Sequence, residues 1–331
     1  VLHLFCTCSG QAPLKSLDQV LAMVDFCYDE RDISQGGKTT MKATRMTHFG
    51  LTFALLMSLC TVGCGWSRQH LPAQTVVVDG VSRTYHIFVP RNPPEKPMAL
   101  LVGAHGGGGA GGVFQQQSAF ETLAEREGII IALPQGRHFP GNEGDWLLNT
   151  TAERMNDIHF IGALIDDVAS NQRVDLKRVY AMGYSIGSMF SYELACQMSD
   201  RFAAIASYAG TMPMNPQACT PERFAPLMHI HNTDDTIISY HNEWDWKEWP
   251  AVGPMRSIPS LLSYWENKYA CTENNQTTGS SSEHIVYSNC AQDARFEHHR
   301  LTGEGHHWPT RINGVPTPEL MWTFLSRYQL P

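Results

Sequence analysis

A mostly parallel β-sheet with helices on both faces is the fold class this sequence predicts, on three observations. Apolar runs of strand length alternate with stretches of helical spacing from residue 98 onward. The run at 98–104 is continuously apolar, as a strand covered on both faces must be, and 128–134 and 202–210 read as further buried strands. Finally, Gly183-Tyr184-Ser185-Ile186-Gly187 lies between the apolar run 178–182 and the helix-compatible stretch 188–195, which reads as strand, tight turn, helix.

Taken in order, the elements begin at 75–90, which reads as two strands joined at Asp79-Gly80, a strong hairpin signal. A proline-rich connection leads to the strand at 98–104, and His105-Gly106-Gly107-Gly108-Gly109 follows. Residues 114–127 and 155–171 have helical spacing, the second with Phe160, Ile161, Leu164, Ile165 and Val168 on one side. The polar loop 141–146 between them ends in Trp146. Residues 226–232 form a further strand, whose end carries Asn232-Thr233-Asp234-Asp235, and 294–301 another, before Gly303-Glu304-Gly305-His306-His307-Trp308-Pro309.

The length of 331 residues accommodates one large domain, and no internal repeat or second core is visible. A net charge of −8 without a basic stripe excludes a nucleic-acid partner. Residues 1–40 show no sustained period and are expected to be upstream sequence or a disordered extension. Residues 41–64 have a basic start, an apolar run and small residues, the pattern of a secretory signal, and the run is short for a membrane span. Val62-Gly63-Cys64 is similar to a bacterial lipoprotein cleavage site, so free secretion and a lipid anchor at Cys64 in the bacterial cell envelope both stay open.

Residues 65–331 are then a single exported catalytic domain, expected to be monomeric. Its four cysteines, Cys196, Cys219, Cys271 and Cys290, form an even set that suits an oxidising compartment. Of three possible pairings, sequence neighbours are the simplest: Cys196 with Cys219 and Cys271 with Cys290.

Chemistry centres on Ser185. A serine on a strand-to-helix turn needs flanking glycines and projects its hydroxyl above the sheet edge, where the helix N-terminus favours negative charge. The glycine cluster after His105 has no Gly-Lys-Ser/Thr ending, so it is not a phosphate loop. Gly107-x-Gly109-x-x-Gly112 fits a dinucleotide fingerprint, but the strand that follows ends without the acidic residue a ribose requires. An oxyanion loop remains, with backbone N–H groups of Gly107 and Ile186 as the donors. His229 and His231 share one face of a strand and invite a zinc reading, but no third ligand sits at local spacing. Asp235 is better explained as the acid that orients a histidine, and His306, in a loop bounded by glycine and proline, is that base. The chain order Ser185, Asp235, His306 is that of α/β-hydrolases, so the α/β-hydrolase fold is predicted.

These stretches resemble the esterases related to polyhydroxybutyrate depolymerases and bacterial feruloyl esterases. The likeness is carried by His105-Gly106, Arg178-Val179-Tyr180, Gly183 to Gly187, His231 to Asp235 with Tyr240, Tyr264-Trp265 before Cys271, and Gly305 to Pro309. The chain departs from the family pattern at Ser188, Asn232 and Ser239. The resemblance implies a secreted serine esterase that needs no cofactor or metal and acts on an ester substrate that can be polymeric. Hydroxycinnamoyl (feruloyl) or acetyl esters of plant polysaccharide come first, with a polyester depolymerase or a serine peptidase as alternatives. Trp244, Trp246 and Trp249 crowd into six residues beside the acid loop, where flat aromatic faces suit phenolic or sugar rings. With His105, Trp146, Tyr184 and Trp308, Trp244 and Trp246 are the expected substrate contacts.

Overall fold

The computed structural model describes residues 71–109, 111, 119–139, 145–245 and 250–331, all within one unit, Arg68–Pro331. The expectations for 1–40 and 41–64, the anchor at Cys64, the start of the 114–127 helix, Trp246 and Trp249 lie outside the described residues.

The hairpin comes first: β1 (Ala73–Val78) pairs antiparallel with β2 (Val81–Phe88). Asp79 and Gly80, at φ 51° and 76°, make the turn between Val78 and Val81, the double positive φ that a two-residue hairpin loop needs. Then β3 (Met98–Ala104), β4 (Ile130–Pro134), β5 (Val174–Tyr184), β6 (Ala204–Tyr208) and β7 (Leu227–Asn232) alternate with helices α1 (Phe120–Glu127), α2 (Asn156–Asn171) and α3 (Ile186–Gln197). After α4 (Ile258–Lys268) come β8 (Glu273–Thr278), β9 (Ser282–Ser288) and β10 (Phe296–Leu301), and α5 (Thr317–Leu325) closes the order.

These strands form one sheet in the order β1-β2-β4-β3-β5-β6-β7-β10-β9-β8. The run from β4 to β10 is parallel, and antiparallel strands extend it at both edges. Strands β3, β4 and β6 are buried along their whole length, as sequences apolar but for Ser207 of β6 require. Alternation of side chains splits the core in two. Leu100, Val102, Val179, Ala181 and Ile205 pack with Phe160, Phe190 and Trp265 of α2, α3 and α4 on one face. Leu101, Tyr180, Met182, Met228 and Ile230 pack with Phe120 of α1 and Trp322 of α5 on the other. Disulfides join Cys196 to Cys219 and Cys271 to Cys290, the expected pairing. No helix of the described residues is long and apolar enough to cross a membrane.

The parallel strands all end at one edge of the sheet, and a site forms there because each strand hands its chain to a loop at that edge. His105 follows β3, Ser185 follows β5, Asp235 lies three residues beyond β7 and His306 five beyond β10.

Candidate active site

Ser185 sits between β5 and α3 at φ 57° and ψ −124°, a conformation that L-residues rarely adopt. The flanking glycines follow from the crossing that this bend creates. A Cβ on Gly183 would lie 2.0 Å from the Gly187 carbonyl oxygen, and one on Gly187 would lie 2.2 Å from the Ala104 carbonyl oxygen. The Ser185 N–H donates to the Tyr208 carbonyl at 2.9 Å, which ties the bend to β6.

From the bend the hydroxyl reaches His306: Oγ and Nε2 are 2.9 Å apart, and His306 Nδ1 lies 2.7 Å from Asp235 Oδ2. The Asp235 carboxylate, only 5% exposed, is held from all sides. Its Oδ1 accepts from the N–H groups of Ile237 and Ile238 at 2.9 and 2.8 Å, and its Oδ2 also lies 3.3 Å from His231 Nε2. Burial pushes this carboxyl up, but the bonds from His231, His306 and Ile238 outweigh it and hold it well below the usual range. It is therefore an anion at neutral pH. Asp234 is exposed and caps Gly303 N–H at 3.0 Å, so the adjacent acids do different work.

The loop that carries His306 is clamped by two phenols from strand ends. Tyr184 donates to the His306 carbonyl, and Tyr208 donates to the His307 carbonyl at 2.7 Å while accepting from Asn232 Nδ2 at 2.8 Å. Burial pushes the Tyr184 phenol up to about 12, with Asp235 adding to it, so it stays a donor. His307 is exposed. Trp308 is half-buried, packs against Tyr184, Tyr208 and Phe120, and lines a cavity of about 200 Å³ with Leu123, Arg126 and Pro318.

The glycine loop passes against the serine elbow. A Cβ on Gly106 would lie 3.3 Å from Ser185 Cβ, and one on Gly107 would lie 3.6 Å from Ile186 Cγ2. Gly107 and Ile186, the two expected oxyanion donors, are thus brought together beside Ser185.

Two expected substrate contacts are displaced by this packing. His105 and Trp146, at 1% and 0% exposure, have no surface to offer a substrate. His105 holds the glycine loop from beneath: Nδ1 lies 2.8 Å from the Gly106 carbonyl, and Nε2 accepts from Gly136 N–H at 2.9 Å. Burial lowers the pKa of His105, which keeps the ring neutral as this pattern requires. Trp146 stacks on Phe190 and donates Nε1–H to the His105 carbonyl at 2.9 Å. Trp244 is half-buried, and its backbone pairs with Met255.

His229 and His231 stack at 5.4 Å inside the sheet face, where His229 meets the Tyr192 hydroxyl and His231 lies 2.9 Å from the Ile238 carbonyl. Burial, followed by His298 and His231, lowers the His229 pKa well below its usual value. Sequence reasoning missed Tyr208, Asn232 and the carboxylate-holding part of His231. Only Asn232 and His231, adjoining the acid motif, carried a local signal.

Sheet order, elbow and loop placement define the α/β-hydrolase fold. Residues 144–248 match the Dienelactone hydrolase family. The chain is similar to a bifunctional acetylxylan esterase/xylanase of Neocallimastix patriciarum, 26% identical over 69% of this chain and 31% of that protein. It is also similar to feruloyl esterase B of Piromyces equi, 24% identical over 72% of this chain and 43% of that protein. Feruloyl esterase C of Emericella nidulans is 31% identical over 45% of this chain and 53% of that protein. The chain thus spans between about a third and about half of these curated relatives. Among solved structures, an acetyl xylan esterase from Aspergillus awamori superposes at TM-score 0.56 with 16% identity, over 77% of this chain and 99% of that one, a likeness of fold.

Proposed function

We propose that this chain is an exported serine esterase that cleaves carboxylic esters, feruloyl or acetyl esters of plant polysaccharide foremost. The observation that carries the reading is the hydrogen-bonded line from Ser185 Oγ through His306 to the buried Asp235 carboxylate, set on the strained elbow. His306 takes the Ser185 proton as the hydroxyl attacks the ester carbonyl, and the Asp235 anion stabilises the imidazolium that results. The oxyanion rests on the N–H groups of Gly107 and Ile186 at the start of α3. His306 then protonates the leaving alcohol, and water, deprotonated by the same ring, releases the acid from Ser185.

The acyl preference is supported by the names of the relatives, and export by the two disulfides. Trp244, Trp246 and Trp249 are proposed to stack on the aryl or sugar part, with Tyr184 and Trp308 bordering the nucleophile. The test is a panel on the purified chain: feruloyl esters, acetylated xylan, short nitrophenyl esters, polyhydroxybutyrate and peptide amides. Feruloyl or acetylxylan turnover above the rest is expected. Amide cleavage that outpaces every ester, or ester rates no faster than buffer, refutes it. Singly replacing the three tryptophans with alanine should slow aryl esters more than acetate esters.

A further inference from the structure

On the α5 side of the sheet, opposite the face that carries His229 and His231, three donors converge that the proposed chemistry does not use. His284 of β9 and His299 of β10 are direct cross-strand partners, and Glu297 precedes His299 by two residues and so shares its face. One donor atom from each lies within 4.8 Å of the other two. We propose that His284, Glu297 and His299 bind a divalent transition-metal cation, zinc in the first instance, and that the ion fastens β9 to β10.

Spacing, donor type and burial each support the site. His284 Nε2 and Glu297 Oε2 are 3.1 Å apart. Two donors at zinc's bond lengths on a tetrahedral shell are separated by about 3.3 Å, so this pair already has the spacing that an ion requires. The third donor has to close by about 1.5 Å from the widest separation. The two imidazoles stack at 4.1 Å and 6°, so one must turn for both lone pairs to meet an ion. His284 can turn, being 36% exposed, and its exposure also gives the ion an entry path. His299 is 6% exposed, and its Nε2 is buried with no hydrogen-bond partner. A buried ring nitrogen left unpaired costs free energy that a bond to metal would recover.

Glu297 is already oriented for the role. Arg327 occupies its Oε1 at 2.9 Å, which leaves Oε2 facing His284, the kind of outer-shell support that ligating carboxylates have. Arg327 and Arg295, the latter 3.9 Å away, also oppose a dication, so moderate affinity is expected. Two imidazoles and one carboxylate suit zinc, nickel and copper, whereas calcium and magnesium prefer all-oxygen shells.

Zinc titration of the full chain by calorimetry tests the proposal. Cysteines of residues 1–64 can add binding of their own, so the readout is the equivalent lost on substitution. One equivalent should disappear in His299→Ala and in His284→Ala but persist in His306→Ala, and zinc should raise Tm by several degrees in wild type but less in His284→Ala. A cobalt-loaded sample should lose visible absorption in the same two variants. His284→Ala removes a half-exposed side chain and keeps the test valid if His299→Ala misfolds. Equal stoichiometry and affinity in His284→Ala and wild type, or absence of any zinc heat in wild type, overturns the site.

Discussion

Replacing Tyr208 with phenylalanine isolates the clamp on the catalytic loop, because the ring remains and only the hydroxyl goes. Tyr208 is fully buried at the end of β6, and its hydroxyl links Asn232 Nδ2 at 2.8 Å to the His307 carbonyl at 2.7 Å. His307 is exposed, so its carbonyl can recruit water, but Asn232 is fully buried and its amide is left without that acceptor. One unsatisfied buried group costs about 1–3 kcal/mol. For a domain of this size that is a loss of between about 2 and 6 °C in Tm. The loop keeps its second clamp at Tyr184, so His306 should drift rather than detach. Misplacement of a catalytic group by about 1 Å costs up to about 100-fold, so kcat should fall about 10-fold. KM should change little, because Tyr208 has no surface to meet a substrate. Thermal melts and steady-state kinetics on a short nitrophenyl ester supply both numbers. A variant that loses stability yet keeps full kcat refutes the positioning role, and one that loses neither refutes the network.

The other predictions concern charge, pH and cross-links. Asp235→Asn should lower kcat/KM by about four orders of magnitude, because the imidazole loses its orienting anion. Asp234→Asn, which only weakens a cap on Gly303, should stay within a few-fold of wild type in the same assay. His105 and His229 are held neutral below their usual value near 6.5 by burial, so the unfolded chain binds more protons than the folded one as pH falls. Stability should therefore decline as pH drops below about 6.5, by up to about 1.4 kcal/mol per pH unit for each ring, measured as the urea midpoint. Cys196→Ser with Cys219→Ser opens a loop with a sequence separation of 23 and should cost about 3 kcal/mol in the same melts.

Ser185, Asp235 and His306 were legible because each sits in a short motif dictated by local backbone needs. The glycines around Ser185 are required by contacts of 2.0 and 2.2 Å, and sequence records such requirements directly. Strands β3, β4 and β6 were legible because burial on both faces demands apolar runs, which Ser207 alone interrupts in these three. The edge strand β8, Glu-Asn-Asn-Gln-Thr-Thr, is exposed at every residue and carries no apolar pattern, so the antiparallel extension at that edge was invisible. His105 and Trp146 adjoin functional loops, which is why the sequence points to them as substrate contacts. Proximity in sequence does not report depth, and both point into the layer beneath the loop they hold. The Tyr208 clamp joins β6 to a loop 99 residues away, a contact that sequence spacing cannot encode.

The central claim is that Ser185 is a nucleophile activated by His306 and Asp235. Covalent labelling by a fluorophosphonate probe, located by peptide mass spectrometry, tests it most directly. The account predicts a single adduct on Ser185 in wild type, none in Ser185→Ala, and slow labelling in His306→Ala. Ester turnover should vanish with the adduct, since loss of the nucleophile typically costs about a millionfold. A label on another residue, or a Ser185→Ala variant that keeps more than about a thousandth of the wild-type rate, would contradict it.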